Sequence, residues 1–354
     1  MRSTLLKVFI GFLVLGATAV GVVSWMAFAP NTPAYDDARS VKLPAGSSLE
    51  TVQDSLVAAG ILDRRWTFDF IARASGWGDQ IKSGHYEFQQ GQSNIDLLST
   101  LRAGLETPVR VTIIEGTRRD FMARRVARSM AFTEHEFLTA LSDQEFAESL
   151  GTDTLHLFSY MLPDTYFFYW ESSPQTVIRE IKETFDRFYD QAADGAPGLP
   201  GLTLDKEEVM SMAAIVEWES GLVEEKATIA GVYMNRLRDR WPLQADPTIQ
   251  YALIELEGSK RRLFNRDYRI DHPYNTYQYR GLPPGPVTNP SRSSIEGVLR
   301  PESHGYYFFV ARGDGGHIFS RTLGEHRRNA QAFFRLMRER RAAAAAAEEA
   351  EGSN

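Results

Sequence analysis

The feature that most constrains this chain is a stretch without charge close to its start. From Val8 to Ala29 no residue is charged, a run of 22 residues. Wound as a helix at about 1.5 Å per residue, it spans a bilayer core of roughly 30 Å. Thr18 and Ser24 are its polar residues, so it reads as an anchor and not as a transport path. Arg2 and Lys7 precede it, and Asp36 and Asp37 are the first charges after it. That asymmetry predicts a cytoplasmic amino terminus and a body outside the cytoplasm. Ala27-Phe28-Ala29 also fits a signal-peptidase triplet, but a signal core is only about 7–15 residues long. The expectation is an uncleaved single-pass anchor over residues 1–30.

The body behind the anchor is acidic. With Arg2 and Lys7 set aside, 37 Lys and Arg face 46 Asp and Glu, a balance of −9. Nucleic acid is therefore not an expected partner, since it needs a basic footprint. The 354 residues contain no cysteine. This excludes disulfides, thiolate metal sites and a cysteine nucleophile. The length suits two or three domains of roughly 150 residues.

A polar linker is expected over 31–42. A small α+β unit follows over 43–110. Ser47 and Glu50 offer a capping box for a helix carrying Leu49, Val52 and Leu56, with Gly60 as its stop. A helix from Arg65 to Ala74, a strand Gly84–Phe88, a Ser93-capped helix Ile95–Arg102 and a strand from Val109 complete it. Residues 111–200 read as a mainly helical connecting region with an aromatic segment, Phe158 to Phe168. The Gly- and Pro-containing loop 195–201 leads to a third region, 201–335. Beyond it lies a charged, alanine-rich tail, 336–354, expected as a fraying helix or disorder.

Catalytic candidates concentrate after residue 201. Asp205 and Glu208 start a helix that runs through Glu217-Trp218-Glu219-Ser220 to Gly221. Glu219 shares a face with Met212, Ile215 and Val216, and Glu217 points about 160° away. A carboxylate among apolar groups has a raised pKa, as protonation of a glycosidic oxygen near neutral pH requires. The helix is apolar nearly all round, so periodicity leaves both Glu217 and Glu219 open, either as the acid or as an ordinary paired carboxylate. Downstream, Asn235, Gln244, Asp246, Thr248, Tyr251, Asn275, Tyr277 and Asn289 lie in stiff Pro- and Gly-bearing segments. They are candidates for binding sugars or for holding loops. His317 sits among glycines and reads as structural. No H-E-x-x-H pair, phosphate loop or G-x-S-x-G elbow occurs, so neither metal nor cofactor is expected.

Several blocks in this order carry a family resemblance: Ala214–Ser220, Gly231–Leu237, Pro242–Thr248, Tyr274–Tyr277, Gly281–Pro286 and Tyr306–Phe319. In sequence and spacing they resemble the endolytic murein transglycosylases, the MltG/YceG-like family. Lys82–Phe88 resembles that family's LysM-like strand, and Leu162–Tyr166 its middle motif. The resemblance implies an inner-membrane, single-pass protein that cuts nascent peptidoglycan strands internally and ends their elongation. It assigns the acid to Glu219, the second Glu of the pair, with Ser220 where the family has Thr. Trp218 replaces a common Lys, and Ala245 a commoner Thr.

The implied fold class is α+β: one transmembrane helix, a LysM-like module, and a mixed α/β catalytic domain whose helix carries the acid. The implied reaction needs one carboxyl group, because the muramic 6-hydroxyl attacks its own anomeric carbon to give a 1,6-anhydro end. Glu217 is the reserve, either orienting Glu219 or pairing with Arg236. The rival readings are an ordinary two-carboxylate hydrolase and a non-enzymatic glycan-binding scaffold that recruits peptidoglycan synthases.

Overall fold

The computed structural model describes residues 2–352, with side chains from residue 4 to residue 344. Met1, Ser353, Asn354 and the Arg2 side chain, named above as a flanking cation, lie outside the described residues. The fold is mixed α+β. In chain order the elements are α1 (Arg2–Phe28), β1 (Arg39–Leu43), α2 (Leu49–Ala58), α3 (Arg65–Ser75), β2 (Gly84–Phe88), α4 (Asn94–Ala103), β3 (Val109–Ile113), α5 (Arg119–Ala127), α6 (Glu134–Leu141) and α7 (Gln144–Ser149). There follow β4 (Asp164–Phe168), α8 (Pro174–Ala193), α9 (Lys206–Glu219), α10 (Val223–Arg238), α11 (Asp246–Glu257), α12 (Arg292–Leu299), β5 (Phe308–Ala311), β6 (His317–Ser320) and α13 (Leu323–Gly352). The strands pair as β1–β2, β3–β4 and β5–β6.

The chain forms two compact units. The first comprises Met1–Val111, Ala127–Thr133 and Tyr166–Ser173; the second comprises Thr112–Val126, Glu134–Thr165 and Pro174–Asn354.

In the first unit, Thr4–Phe28 of α1 is long and apolar enough to cross a membrane, with mean hydropathy 2.2. Antiparallel β1 and β2 pair from Arg39↔Phe88 to Leu43↔Gly84. Val41, Leu43, Tyr86 and Phe88 turn inward onto Val52, Leu56, Phe68, Leu97 and Leu101. His85 departs from the alternation and is buried, its Nδ1 meeting the Thr107 carbonyl at 2.8 Å. Ser93 caps α4 through a reciprocal box with Asp96. The cap of α2 is Ser48 rather than Ser47, because the Ser47 hydroxyl donates to the Pro44 carbonyl.

The segment 31–42 is not the loose linker its polarity suggested. Asn31 and Thr32 are buried. Asn31 N–H donates to Gln92 O at 2.7 Å, and its side chain donates to Asn94 Oδ1 at 2.6 Å and accepts from Arg64 N at 2.8 Å. Asn94 Nδ2 donates in turn to Met26 O, 2.8 Å away. The last carbonyls of a helix lack partners within it, and here a side chain supplies one. Ala27 is part of the same core, so the Ala27-Phe28-Ala29 triplet sits inside a packed junction.

In the second unit α9 is central. Asp205 caps it in a reciprocal box with Glu208, and Val209 to Val216 are all buried. That continuous burial explains why no single apolar stripe stood out. Helices α10, α11 and α12 pack on α9. Gly231 and Gly297 permit close approaches to α10. A Cβ on Gly231 would stand 2.5 Å from Glu302 O, and one on Gly297 3.1 Å from Ala227 N. His317 on β6 is structural, its Nδ1 held by Glu225 Oε2 at 2.7 Å. The expected tail from 336 is the second half of α13 as far as Gly352.

Replacing Asn94 by Ala removes the nearest acceptor of the buried Asn31 amide and orphans the Met26 carbonyl. A loss of about 1–3 kcal/mol is expected in denaturant unfolding of the full chain in detergent micelles.

Candidate active site

Glu217 and Glu219 leave the last turn of α9 into opposite environments. Glu217 Oε2 accepts from Ser291 N at 2.9 Å, Ser294 Oγ at 2.6 Å, Lys226 Nζ at 3.1 Å and the Ser291 hydroxyl. The side chains of Glu217 and Lys226 are 7% and 5% exposed. Burial alone would raise this carboxyl, but the Ser291 and Ser294 hydrogen bonds and the Lys226 charge outweigh it and hold its pKa below the usual range. Glu217 thus pairs with Lys226, not with Arg236, and is fully engaged in joining α9, α10 and α12.

Glu219 is the last residue of α9. Ser220 takes an extended conformation and ends the helix. Glu219 lines a cavity of about 310 Å³ with Tyr233, Arg236, Gln244, Asp246, Tyr277, Phe308, Phe309 and His326. Protein encloses the carboxyl closely, and the cavity reaches it. The Tyr233 hydroxyl donates to Glu219 Oε1. Burial raises the Glu219 pKa to about 7; the Tyr233 hydrogen bond opposes the rise, Asp246 adds to it, and Arg236 opposes it.

The surrounding groups are held in place by hydrogen bonds. Arg236 is buried, and its Nε donates to Tyr307 O at 2.7 Å and its Nη1 to Leu243 O. Tyr277 donates to Asp246 Oδ1 at 2.6 Å. Gln244 adopts φ +49°, a conformation costly for a non-glycine residue and common at functional sites. Burial and the Arg236 charge lower the His326 pKa, which favours a neutral ring. A second cavity of about 470 Å³ shares Arg236, Gln244 and Phe308 with the first and adds Trp241, extending the cleft along an aromatic wall.

Of the polar groups singled out in the sequence, Gln244, Asp246 and Tyr277 join Glu219 at the cavity. Four others hold loops. Asn235 Nδ2 donates to His304 O at 2.9 Å, Thr248 Oγ1 to Ala245 O at 2.7 Å, and Asn275 Nδ2 to Ile270 O at 2.7 Å. Asn289 Nδ2 donates to Ile114 O and Met161 O at 2.9 and 3.1 Å. Tyr251 stacks on Tyr274 at a different cavity. The sequence reading passed over Tyr233, Phe308, Phe309 and His326 as site residues. Tyr233 was accessible in principle, since it and Arg236 sit three apart on one face of α10. The others come from β5 and α13 and carry no local signal. Elsewhere Asp153, His156 and Glu207 bring possible ligand atoms within 4.8 Å of one another. Asp153 is already engaged by the His156 ring and by two backbone N–H groups.

A partly enclosed carboxylic acid beside a Tyr and an Arg, in a cleft with aromatic walls, has the chemistry that general-acid attack on a polyhydroxylated ligand requires. The YceG-like family model matches residues 41–332, and the chain belongs to that family. It is 26% identical over 303 residues to the endolytic murein transglycosylase of Bacillus subtilis (strain 168), covering 81% of this chain and 82% of that one. It is 29% identical over 320 residues to the endolytic murein transglycosylase of Streptococcus pneumoniae serotype 2 (strain D39 / NCTC 7466), spanning 82% of this chain but only 57% of that protein. The crystal structure of a yceG-like protein from Listeria monocytogenes is similar with TM-score 0.56 and 27% identity, over 82% of this chain and 98% of that one.

Two predictions separate the acids. Glu217→Ala strands Lys226 as a buried charge and is expected to cost about 3–5 kcal/mol in denaturant unfolding. Glu219 has a folded pKa raised from its ordinary value of 4.5 to about 7, so its contribution to stability is fully present below pH about 4.5 and lost as pH rises through about 7. Glu219→Gln should remove that pH-dependent decline, read as melting temperature against pH for both proteins.

Proposed function

We propose that this protein is a lytic transglycosylase that cuts peptidoglycan strands internally, between N-acetylmuramic acid and N-acetylglucosamine. The cut leaves 1,6-anhydro ends and terminates elongation of nascent strands. The single observation that carries this reading is Glu219, an acid with its pKa near 7 at the floor of an aromatic-walled cleft. The names of the relatives support the same substrate.

Glu219 acts twice. Protonated, it gives its proton to the oxygen that leaves the muramic anomeric carbon, and that C–O bond breaks. The muramic 6-hydroxyl then bonds to the anomeric carbon and returns its proton to Glu219. No water is consumed, and the nucleophile is already part of the substrate. Tyr233 orients Glu219, and Arg236 steadies its anionic form between the two steps. Gln244, Asp246 and Tyr277 contact the sugar. In this reading α1 is an uncleaved inner-membrane anchor with a cytoplasmic amino terminus, 43–110 is a LysM-like module, and 201–335 is the catalytic domain. Peptidoglycan synthases are the expected partners.

Asp246 at the same cavity favours one competing reading, a hydrolase using two carboxyl groups. Mass spectrometry of digested strands separates them. Anhydro products are lighter by one water than hydrolysed ones, and a non-enzymatic scaffold yields no product. Glu219→Gln is expected to lower the rate by roughly 10²–10⁴-fold. For the unmodified protein, kcat/KM should fall as pH rises through about 7, when the acid loses its proton. A reducing-end product, or a Glu219→Gln protein of near-normal rate, would overturn the proposal.

A further inference from the structure

Helix α13 begins at the cleft, where Leu323 and His326 of its first turn line the Glu219 cavity, and runs on for 30 residues. One side of it packs on β5 and β6. There Phe333, Leu336 and Arg340 close around Gly313, whose carbonyl accepts from Arg340 Nη1. The other side faces away from the protein. At about 100° per residue, Arg327, Gln331, Phe334, Arg338 and Arg341 fall within one arc of about 80°. All five are exposed, and the Phe334 ring is 61% exposed.

The charge on this side runs against the rest of the chain. Residues 327–341 hold six arginines and one acid, Glu339, a balance of +5 in a body of −9. Arg335, Arg338 and Arg341 line a groove of about 690 Å³ together with Phe334, Met337 and Arg262, which comes from the loop after α11. No acid lines the groove. The acids nearest to Arg262 in that loop, Glu257 and Asp267, are already taken by Arg261 at 2.7 Å each. Among the described residues none of the four groove arginines has a carboxylate partner.

We propose that this side of α13 docks on the anionic headgroups of a phospholipid bilayer, its guanidiniums meeting phosphates and Phe334 entering the apolar boundary beneath them. Guanidinium forks match pairs of phosphate oxygens. An exposed aromatic ring set among arginines along one helix side suits an element that lies in the interface plane. A sugar strand would call for neutral hydrogen-bonding side chains, and Gln331 is the one that lines the groove. The inference rests on the reading of α1 as an anchor, and not on the proposed reaction. With α1 in a bilayer, the patch is tethered beside that surface at high effective concentration. Because α13 also contributes to the Glu219 cavity, docking sets the height of the cleft above the lipid.

The absence of cysteine permits a direct test. A nitroxide attached through Gln331→Cys in the full chain, reconstituted into vesicles, reports depth by its relative access to oxygen and to a polar nickel complex. With phosphatidylglycerol in the vesicles the label is expected at headgroup depth. In phosphatidylcholine alone, or at high salt, it is expected in water. The triple variant Arg335→Gln, Arg338→Gln, Arg341→Gln should keep its melting temperature and lower the docked-to-free ratio by at least about tenfold, at roughly fivefold for each arginine. Equal depth in both lipids, a label in water in both, or full docking by the triple variant would overturn the proposal. So would a label that leaves water only when peptidoglycan is added, which would make the polymer the occupant. If the triple variant does not fold, the comparison of the two lipids with the arginines intact decides. A chain that alkaline carbonate extracts from the vesicles would overturn the anchor reading instead, and the label would still report docking on vesicles added from outside.

Discussion

One oxygen organises the second unit. Glu217 Oε2 gathers the Lys226 ammonium, the Ser291 and Ser294 hydroxyls and the Ser291 backbone N–H. A carboxylate and an ammonium taken out of water together are tolerated only when their hydrogen bonds are made in full. Meeting that condition locks the end of α9 to α10 and to the start of α12. Everything at the cleft depends on the lock, since Glu219 is two residues further along α9 and Tyr233 and Arg236 lie further along α10.

The two acids therefore differ by environment, not by residue type. Charged partners and hydroxyls keep Glu217 ionised. Glu219 has a phenol for a close partner and a buried Arg at some remove, which do not repay its lost hydration, and its pKa rises to about 7. Asp246 contributes as well, since its negative charge disfavours a second one on Glu219.

The first unit shows the same economy of polar groups at a different place. Asn31, Asn94 and Thr67 form a buried cluster that ties the end of α1 to α3 and α4. The apolar helix is thereby continuous with the core of its unit, with Ala27 shared between them. A tether of free residues would leave the unit's orientation open; this junction fixes it relative to the helix.

Much of this was legible in order along the chain. The uncharged run, the caps at Ser93 and Asp205, strand β2, and the end of α9 near Ser220 depend on residues a few positions apart, and local physics sufficed for them. The family resemblance pointed to Glu219, but periodicity left Glu217 and Glu219 open, because α9 is buried on nearly every face and the partner that sets Glu217 apart, Ser291, lies 74 residues away in sequence. The same holds for Asn235, Thr248, Asn275 and Asn289, whose amides and hydroxyls look like sugar ligands until their carbonyl partners are seen. Sequence alone determined the apolar helix, strand β2, the starts of α4 and α9, the acid pair and the family resemblance. Tertiary structure alone decided which carboxylate stays hydrogen-bonded and charged and which is left short of partners, since desolvation and long-range pairing arise only when distant segments pack.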